Sequence, residues 1–477
     1  MSLVLLTILV LLASISPLLT FAALWQLKEW RWDRLREHLR ETGWLQLIGK
    51  VRPLLLLLVF FGVPITLTAL TLLNVTQILL KKQRYPVWTT KALVLTTTSL
   101  CITALLPYSL LSITDYLLVF LPLFQPLTLA LALVLWKPID HYLKQRILSR
   151  AKHLRSQFPH LTVIGITGSV GKTTTKELLT HLLQDLHPIV TPEHVNTELG
   201  VAQWLIQVLK NDAAQDRILI VEMGAYRKGE IKTLCASTQP TIGIITYIGK
   251  QHLGLFGSQK NLCDAKGELF EALPSSGHAF LGADSPYIEE LKQKCQYPCH
   301  IIEKKTQLKN PHFNADLPAA VAKHLGVSDE DIQKHLKTFS LPQKTFTIRE
   351  ENGITVLDDT HNSSPESFRA AIEWARKQPH ERKILLAAGI IELGKESKKI
   401  HKELGTLAAP IFQEAIILNN HCAKTFELGF GKPLQPITPA CRQARYNLQP
   451  HSLLVCIGRI PQSLITKITS TKNPITQ

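Results

Sequence analysis

The residues of this chain that could do chemistry begin at Val163, where the sequence reads Val-Ile-Gly-Ile-Thr-Gly-Ser-Val-Gly-Lys-Thr-Thr-Thr-Lys-Glu to position 177. Val163 to Ile166 are apolar and β-branched apart from one glycine, the pattern of a short buried strand. Thr167, Gly168, Ser169, Val170, Gly171, Lys172, Thr173 and Thr174 then predict a phosphate loop that opens a helix. Glycines let backbone N–H groups close around phosphate oxygens, and the helix N-terminus adds positive potential. Lys172 can reach terminal phosphates, and the Thr173 hydroxyl can ligate Mg²⁺. The usual loop has four residues between its glycines; here only Ser169 and Val170 separate Gly168 from Gly171.

Stepping along the chain, the elements that must position this loop read as alternating strands and helices. Arg217 to Ala225 is an apolar strand that carries Glu222 near its end, where parallel sheets place a Mg²⁺-binding carboxylate. Before it, Pro192 to Gly200 is a polar loop with Asn196 and Thr197, residues that also serve as turn and cap formers. Thr241 to Ile248 is a third strand leading to His252, and Lys266 falls on the following helix. Taken singly, His252 and Lys266 say little. Alternation to about residue 340 predicts a mostly parallel sheet. A second α/β unit follows, with strands at 354–358, 384–388, 415–418 and 453–457 and polar loops at 359–366 and 389–394. Residues 466–477 read as a frayed tail.

The first part of the chain is different. Charged residues are 19% of the 477-residue whole. They are absent from positions 1–27, 53–80, 92–114 and 116–136, each long enough for the roughly 20 residues of a spanning helix. Three or four membrane spans are expected, with kinks or breaks at Pro64 and Pro107 and the last two spans paired around Asp115. The first stretch lacks the basic start of a cleaved signal. Residues 137–155 carry six Lys or Arg against one Asp, which places the following part in the cytoplasm of a multi-pass protein of the inner or plasma membrane. Residues 28–45 predict an amphipathic surface helix with tryptophans at headgroup level. The net charge of +16 flanks these apolar runs, where it meets membrane lipid rather than nucleic acid. Eight scattered cysteines read as free thiols in a reducing compartment, although Cys295, Cys299 and His300 could be a fragment of a metal site. The predicted organisation is 1–150 membrane helices with basic juxtamembrane segments, 151–340 a phosphate-loop α/β domain, and 341–477 a Rossmann-like α/β domain.

Taken together, the motifs resemble the ATP-dependent Mur ligase family, which builds the peptide of bacterial peptidoglycan. The resemblance runs over about 160–460 and keeps the family order: the phosphate loop, His194 to Gly200, Val221 to Ala225, Ile245 to Leu253, Ala265 to Glu268, Asp358 to Pro365, and Gly389 to Gly394 with His401. The Glu-Met-Gly-Ala, Asp-Asp and Glu-Leu-Gly pieces are most similar to the D-alanyl-D-alanine-adding branch. By that resemblance Lys172 and Thr173 hold the ATP phosphates and one Mg²⁺. Glu222 bridges metal, His252 is a second metal ligand, and Lys266 is a lysine that the family carbamylates into an anionic ligand. Lys172, Glu222, His252 and Lys266 are then the catalytic set. Lys344, Asp359, His361 and Asn362 close over the nucleotide, while Asn196, Thr197, Glu392 and Arg459 face substrate.

The implied reaction converts a carboxylate to an acyl phosphate with ATP, after which an amine attacks and phosphate leaves. The implied partners are a UDP-linked or lipid-linked muramoyl peptide and D-Ala-D-Ala. Three positions depart from the family: Tyr247 stands where an asparagine is usual, Lys344 where an arginine is, and Cys456-Ile-Gly-Arg459 replaces Lys-Gly-Ser-Arg. Membrane spans also stand where a soluble substrate domain is usual. A poly-γ-glutamate-type or other amino-acid ligase on a membrane-linked acceptor is a second reading. A catalytically inactive ATP-binding membrane scaffold is a third.

Overall fold

The computed structural model describes residues 3–43, 49, 51–110, 115–210, 217–306, 313–435 and 450–469. The chain divides into two compact units, Met1–Gln145 and Arg146–Gln477.

The first unit is helical. Helices Leu3–Leu27 and Thr90–Leu110 frame it, and Leu3–Leu27 and the stretch Thr90–Tyr108 are long and apolar enough to cross a membrane. The other two apolar runs are not continuous helices, which corrects the expectation of three or four spans. Residues 53–80 break at Gly62, whose φ of 122° is open to glycine, into a 3₁₀ segment Leu56–Phe61 and a helix Val63–Leu79. Pro64 begins that second helix instead of kinking it, because a proline in the first turn gives up an N–H that has no partner there. Residues 116–136 likewise divide into a 3₁₀ segment Asp115–Phe120 and a helix Gln125–Ser156. Pro107 lies within Thr90–Leu110 and does not end it. The expected pairing around Asp115 involves 111–114, outside the described residues.

The amphipathic helix is observed as Trp32–Thr42, with Trp44 and Leu45 outside the described residues. Its apolar face is not open to lipid: Leu35 and Leu39 are buried against Leu18, Phe21 and Trp25. Inside the unit, Arg52 is 5% exposed and donates to Ser16 Oγ and Gln77 Oε1, each at 2.9 Å. Burying such a cation is costly, and these hydrogen bonds offset part of that cost.

The second unit holds two sheets. The first is six parallel strands in the order β2-β3-β1-β4-β5-β6: β1 Thr162–Thr167, β2 Ile189–Val190, β3 Ile218–Glu222, β4 Ile242–Ile245, β5 His278–Gly282 and β6 Cys299–Ile302. Val163 pairs with Leu219 and Ile164 with Ile242, so the central strands are buried on both faces, as their unbroken apolar runs require. Arg155, 2% exposed, ties the approach to β1 by donating to Thr238 O and Leu161 O.

The second sheet runs β10-β9-β11-β8-β7: β7 Thr347–Glu351, β8 Ile354–Asp359, β9 Lys383–Ala387, β10 Glu414–Ile417 and β11 Leu453–Ile457. All pairs are parallel except β7 with β8, a hairpin edge that the sequence reading did not resolve. The presumed tail is helical through Thr469, with Ile465 and Ile468 buried.

Helices Ser397–Ala408 and Asn420–Phe430 cross backbone to backbone on this sheet. A Cβ on Gly429 would lie 2.0 Å from the Lys402 carbonyl oxygen, and one on Gly405 would lie 2.2 Å from that of Phe426. Gly429→Ala must push the helices apart. It is expected to lower unfolding stability by roughly 1–3 kcal/mol, measured as a lower denaturation midpoint with unchanged helix content.

Candidate functional site

The C-terminal ends of β1, β3 and β4 meet at one edge, the position where open α/β sheets bind ligands. The loop from Gly168 to Gly171 crosses there into the helix Lys172–Leu182. Gly168 has φ 146°, and a Cβ on it would fall 2.0 Å from Thr246 Oγ1. That hydroxyl donates to Val170 O at 2.6 Å, and Ser169 N donates to Tyr247 O at 2.7 Å. The loop is thus stitched to the end of β4. Thr167 donates to Met223 O at 2.8 Å, Thr174 is buried, and the Ser169 hydroxyl is buried without a protein partner. Lys172 Nζ lies inside the turn, 2.9 Å from Gly168 O, and burial holds its pKa below the ordinary lysine value.

Glu222 is the hub on the facing strand. Thr173 Oγ1 donates to Glu222 Oε2 at 3.0 Å, and Asn196 Nδ2 donates to Glu222 Oε1 at 3.1 Å. Lys176, four residues beyond Lys172 and 1% exposed, approaches the same carboxylate at 3.7 Å and donates to Thr191 O. The sequence reading missed Lys176; its spacing of one helical turn from Lys172 was the available signal. Thr197 precedes the helix Glu198–Lys210 and its carbonyl accepts from Val201 N at 2.9 Å, a helix-start contact.

His252 and Glu392 meet across the two sheets. His252 Nδ1 lies 2.5 Å from Glu392 Oε2, Gly254 N donates to Glu392 O at 2.7 Å, and Tyr226 packs edge-on against the imidazole at 4.9 Å. His252 and Glu392 have φ of 58° and 64°, as does Lys344 at 62°, a backbone state that non-glycine residues hold only when their surroundings impose it. Burial holds the His252 pKa below its ordinary value, against the pull of Glu392. Lys266 is 3% exposed and donates to Ala225 O; burial, followed by the neighbouring Lys172 charge, pushes its pKa down to about 7.

From the second sheet, His361 N donates to Lys344 O at 2.9 Å, and the His361 ring stacks on His194 at 6.0 Å. Asn362 and Arg459 are exposed. Lys344 is thus placed by its carbonyl in this contact. Cys295 and Cys299 are free thiols, and the site fragment with His300 does not form: Cys299 and His300 are adjacent on β6 and project to opposite faces. Among the described residues no three His, Cys, Asp or Glu side chains gather to hold a metal by themselves. Any ion here must draw on the Thr173 hydroxyl and Glu222 carboxylate, hard oxygen donors of the kind Mg²⁺ takes.

Beside the loop opens a cleft lined by Val170, Gly171, Tyr247, Phe313, Glu366 and Arg369 among others. Glu366 was not singled out in the sequence, because a glutamate in the first turn after a proline reads as an ordinary helix-end charge.

A strand–glycine loop–helix with a lysine and threonine at the helix start, faced by a strand-end carboxylate, defines a phosphate-loop nucleotide-binding α/β protein with a second α/β sheet closing on it. Residues 166–349 match the Mur ligase middle domain, and residues 346–436 match the Mur ligase glutamate ligase domain. The chain belongs to the Mur ligase family. It is 33% identical over 291 residues to the UDP-N-acetylmuramoyl-tripeptide–D-alanyl-D-alanine ligase of Mycobacterium tuberculosis, which covers 52% of this chain and 56% of that relative. The enzyme of the same name from Escherichia coli is 26% identical over 322 residues, 58% of this chain and 70% of the relative. The chain thus spans little more than half the length of the mycobacterial relatives it matches. Among solved structures, MurF from Acinetobacter baumannii superposes with a TM-score of 0.61 at 25% identity, over 68% of this chain and 80% of that one. MurF ligase from Thermotoga maritima in complex with ADP shares the fold with a TM-score of 0.58 at 24% identity, over 68% and 82%.

Asp359, 6% exposed, gives the site a measurable pH dependence. Its Oδ1 accepts from Phe346 N at 3.2 Å and its Oδ2 is buried without a protein partner. Burial raises its pKa from 3.8 to about 7. The folded protein therefore keeps a proton that the unfolded chain loses, so stability falls as pH rises from about 4 to about 7 and levels off above. Asp359→Asn, neutral throughout, removes this fall. Its stability relative to wild type should rise between pH 5 and pH 8 in denaturant titrations, by at most roughly 3 kcal/mol.

Proposed function

We propose that the chain is an ATP-dependent amide ligase of cell-wall precursor synthesis that adds D-alanyl-D-alanine to a muramoyl peptide. The carrying observation is the Thr173–Glu222–Asn196 contact at the mouth of the phosphate loop. It puts a hydroxyl and an acceptor-side amide each within 3.1 Å of a metal-competent carboxylate. The mycobacterial and enterobacterial relatives carrying that enzyme name support the choice of amine.

In this reading 151–340 binds ATP, 341–477 closes over it, and 1–150 associates with membrane. Lys172 and the loop amides hold the phosphates, and Thr173 with Glu222 hold Mg²⁺. His252, its ring fixed by Glu392, and Lys266, the buried lysine that the family carbamylates, complete the metal side. Mg²⁺, when bound, neutralises charge on the transferring phosphoryl group. The acceptor carboxylate attacks the γ-phosphorus and ADP leaves. The dipeptide amine then adds to the acyl carbon, loses a proton, and inorganic phosphate departs. Lys344, Asp359, His361 and Asn362 line the closing side, while Asn196, Thr197, Glu392 and Arg459 face the acceptor. Closure excludes the water that would otherwise hydrolyse the acyl phosphate. Two helices of spanning length and the basic stretch 137–155 support a membrane-held enzyme with its ligase part on the cytoplasmic side, and a lipid-linked acceptor in place of a soluble one.

The test is phosphate release by the detergent-solubilised chain with ATP and Mg²⁺, offering UDP-muramoyl-tripeptide or its lipid-linked form, with and without D-Ala-D-Ala. Release should require acceptor and dipeptide together and should drop about 100-fold or more in Lys172→Ala. Faster turnover of the lipid-linked acceptor is expected. Nucleotide binding with no release for any pair would overturn the ligase.

A further inference from the structure

The cleft beside the phosphate loop contains one polar atom that the protein leaves unanswered. Glu366 opens the helix Pro365–Arg376 of the second sheet, yet its carboxylate is seated by the first. Lys250 N donates to Glu366 Oε1 at 3.0 Å. Gly249 is what admits it: a Cβ there would lie 2.8–2.9 Å from the carboxyl carbon and both oxygens. Oε2 is buried, lines the cleft side chain by side chain with Tyr247 and Arg369, and has no protein partner. A buried carboxylate oxygen held in a fixed direction without a donor is costly unless a ligand brings one. The cleft runs from Val170 and Gly171 past the apolar walls Phe313 and Leu317, so a nucleotide whose phosphates occupy the loop places its base there. Arg369 donates to Glu403, Asn314 spends its amide on Ile302 O, Asp316 N and Leu317 N, and the Asp284 carboxylate on the same cleft belongs to an exposed residue, which leaves Glu366 as the buried acceptor that a backbone bond fixes toward the base.

We propose that Glu366 is a base-specificity residue that accepts a hydrogen bond from the 6-amino group of ATP, with the Tyr247 phenol completing the base edge where the family's usual asparagine is missing. This rests on the nucleotide reading above and adds the residue that selects the base. Inosine triphosphate, with a 6-carbonyl and an N1–H where ATP has the 6-amine and an N1 lone pair, sets two acceptors against each other at position 6. It binds more weakly than ATP by about 10- to 100-fold, the range for a buried bond to a charged group.

The experiment is equilibrium binding of ATP, ITP and GTP to the full-length solubilised chain, wild type, Glu366→Gln and Lys172→Ala. Glu366→Gln keeps the shape and the bond from Lys250, and turns the inner atom from acceptor to donor. It should invert the preference, so that ITP binds more tightly than ATP, an outcome that misfolding cannot produce. An unchanged ATP to ITP ratio in Glu366→Gln overturns the assignment while the ligase reading stands. GTP binding more tightly than ATP to wild type overturns it too, because the selected amine would then be the 2-amino group. Failure of every triphosphate to bind, or binding indifferent to Lys172→Ala, overturns both.

Discussion

The structure depends on the missing side chain of Gly168. Thr246 Oγ1 occupies the space where its Cβ would be, and from there bonds the Val170 carbonyl. That contact fixes a loop with only two residues between its glycines against the end of β4. A shorter loop encloses less, so it needs an outside brace to keep its amides convergent. Threonine supplies the brace because its hydroxyl is short and its β-branch is stiff. The same strand end then runs directly into Tyr247, Gly249 and Lys250, so whatever fixes the phosphate loop also fixes the wall of the cleft.

Charge at the site is arranged by the fold rather than by local pairs. Glu222 gathers Thr173, Asn196 and Lys176 because strand β3 ends level with the start of the helix Lys172–Leu182. Lys266 comes from a different helix and stays buried beside Lys172, a like-charge neighbour that favours the neutral amine. Clustered buried amines and carboxylates of this kind are unfavourable in an empty protein. They are retained where an anionic ligand and a cation complete them.

The strand–loop–helix at 163–182 was legible because an apolar run, glycines and a helical period each point to it independently. The parallel sheets followed from the alternation that continues from there. β6 and β7 were not legible. β6 is four half-buried residues, and β7 alternates half-buried with exposed positions and holds three charges, as an edge strand can. Nor could the apolar runs of the first part reveal their breaks, since Gly62 and the stretch before Gln125 leave hydrophobicity untouched while ending helices. The site was legible residue by residue where a motif carried it, at Lys172, Thr173 and Glu222. It was not legible at Glu366 and Lys176, whose significance comes only from what another element brings beside them.

The two sheets divide the ligand between them. The first presents backbone amides, Lys172 and Glu222 to the phosphate end. The second reaches over through Glu366 to the base end and through Glu392 to His252. Both reaching residues are received by backbone N–H groups of the first domain: Lys250 N donates to the Glu366 carboxylate, and Gly254 N donates to the Glu392 main-chain carbonyl. Backbone donors cannot swing away as side chains do, so the second sheet has one register in which both of these bonds are made. A nucleotide that bridges loop and cleft rewards that same register. The closed arrangement and the occupied site are therefore favoured by one set of contacts, which is what the proposed ligase reaction, with an activated intermediate to be kept from water, requires.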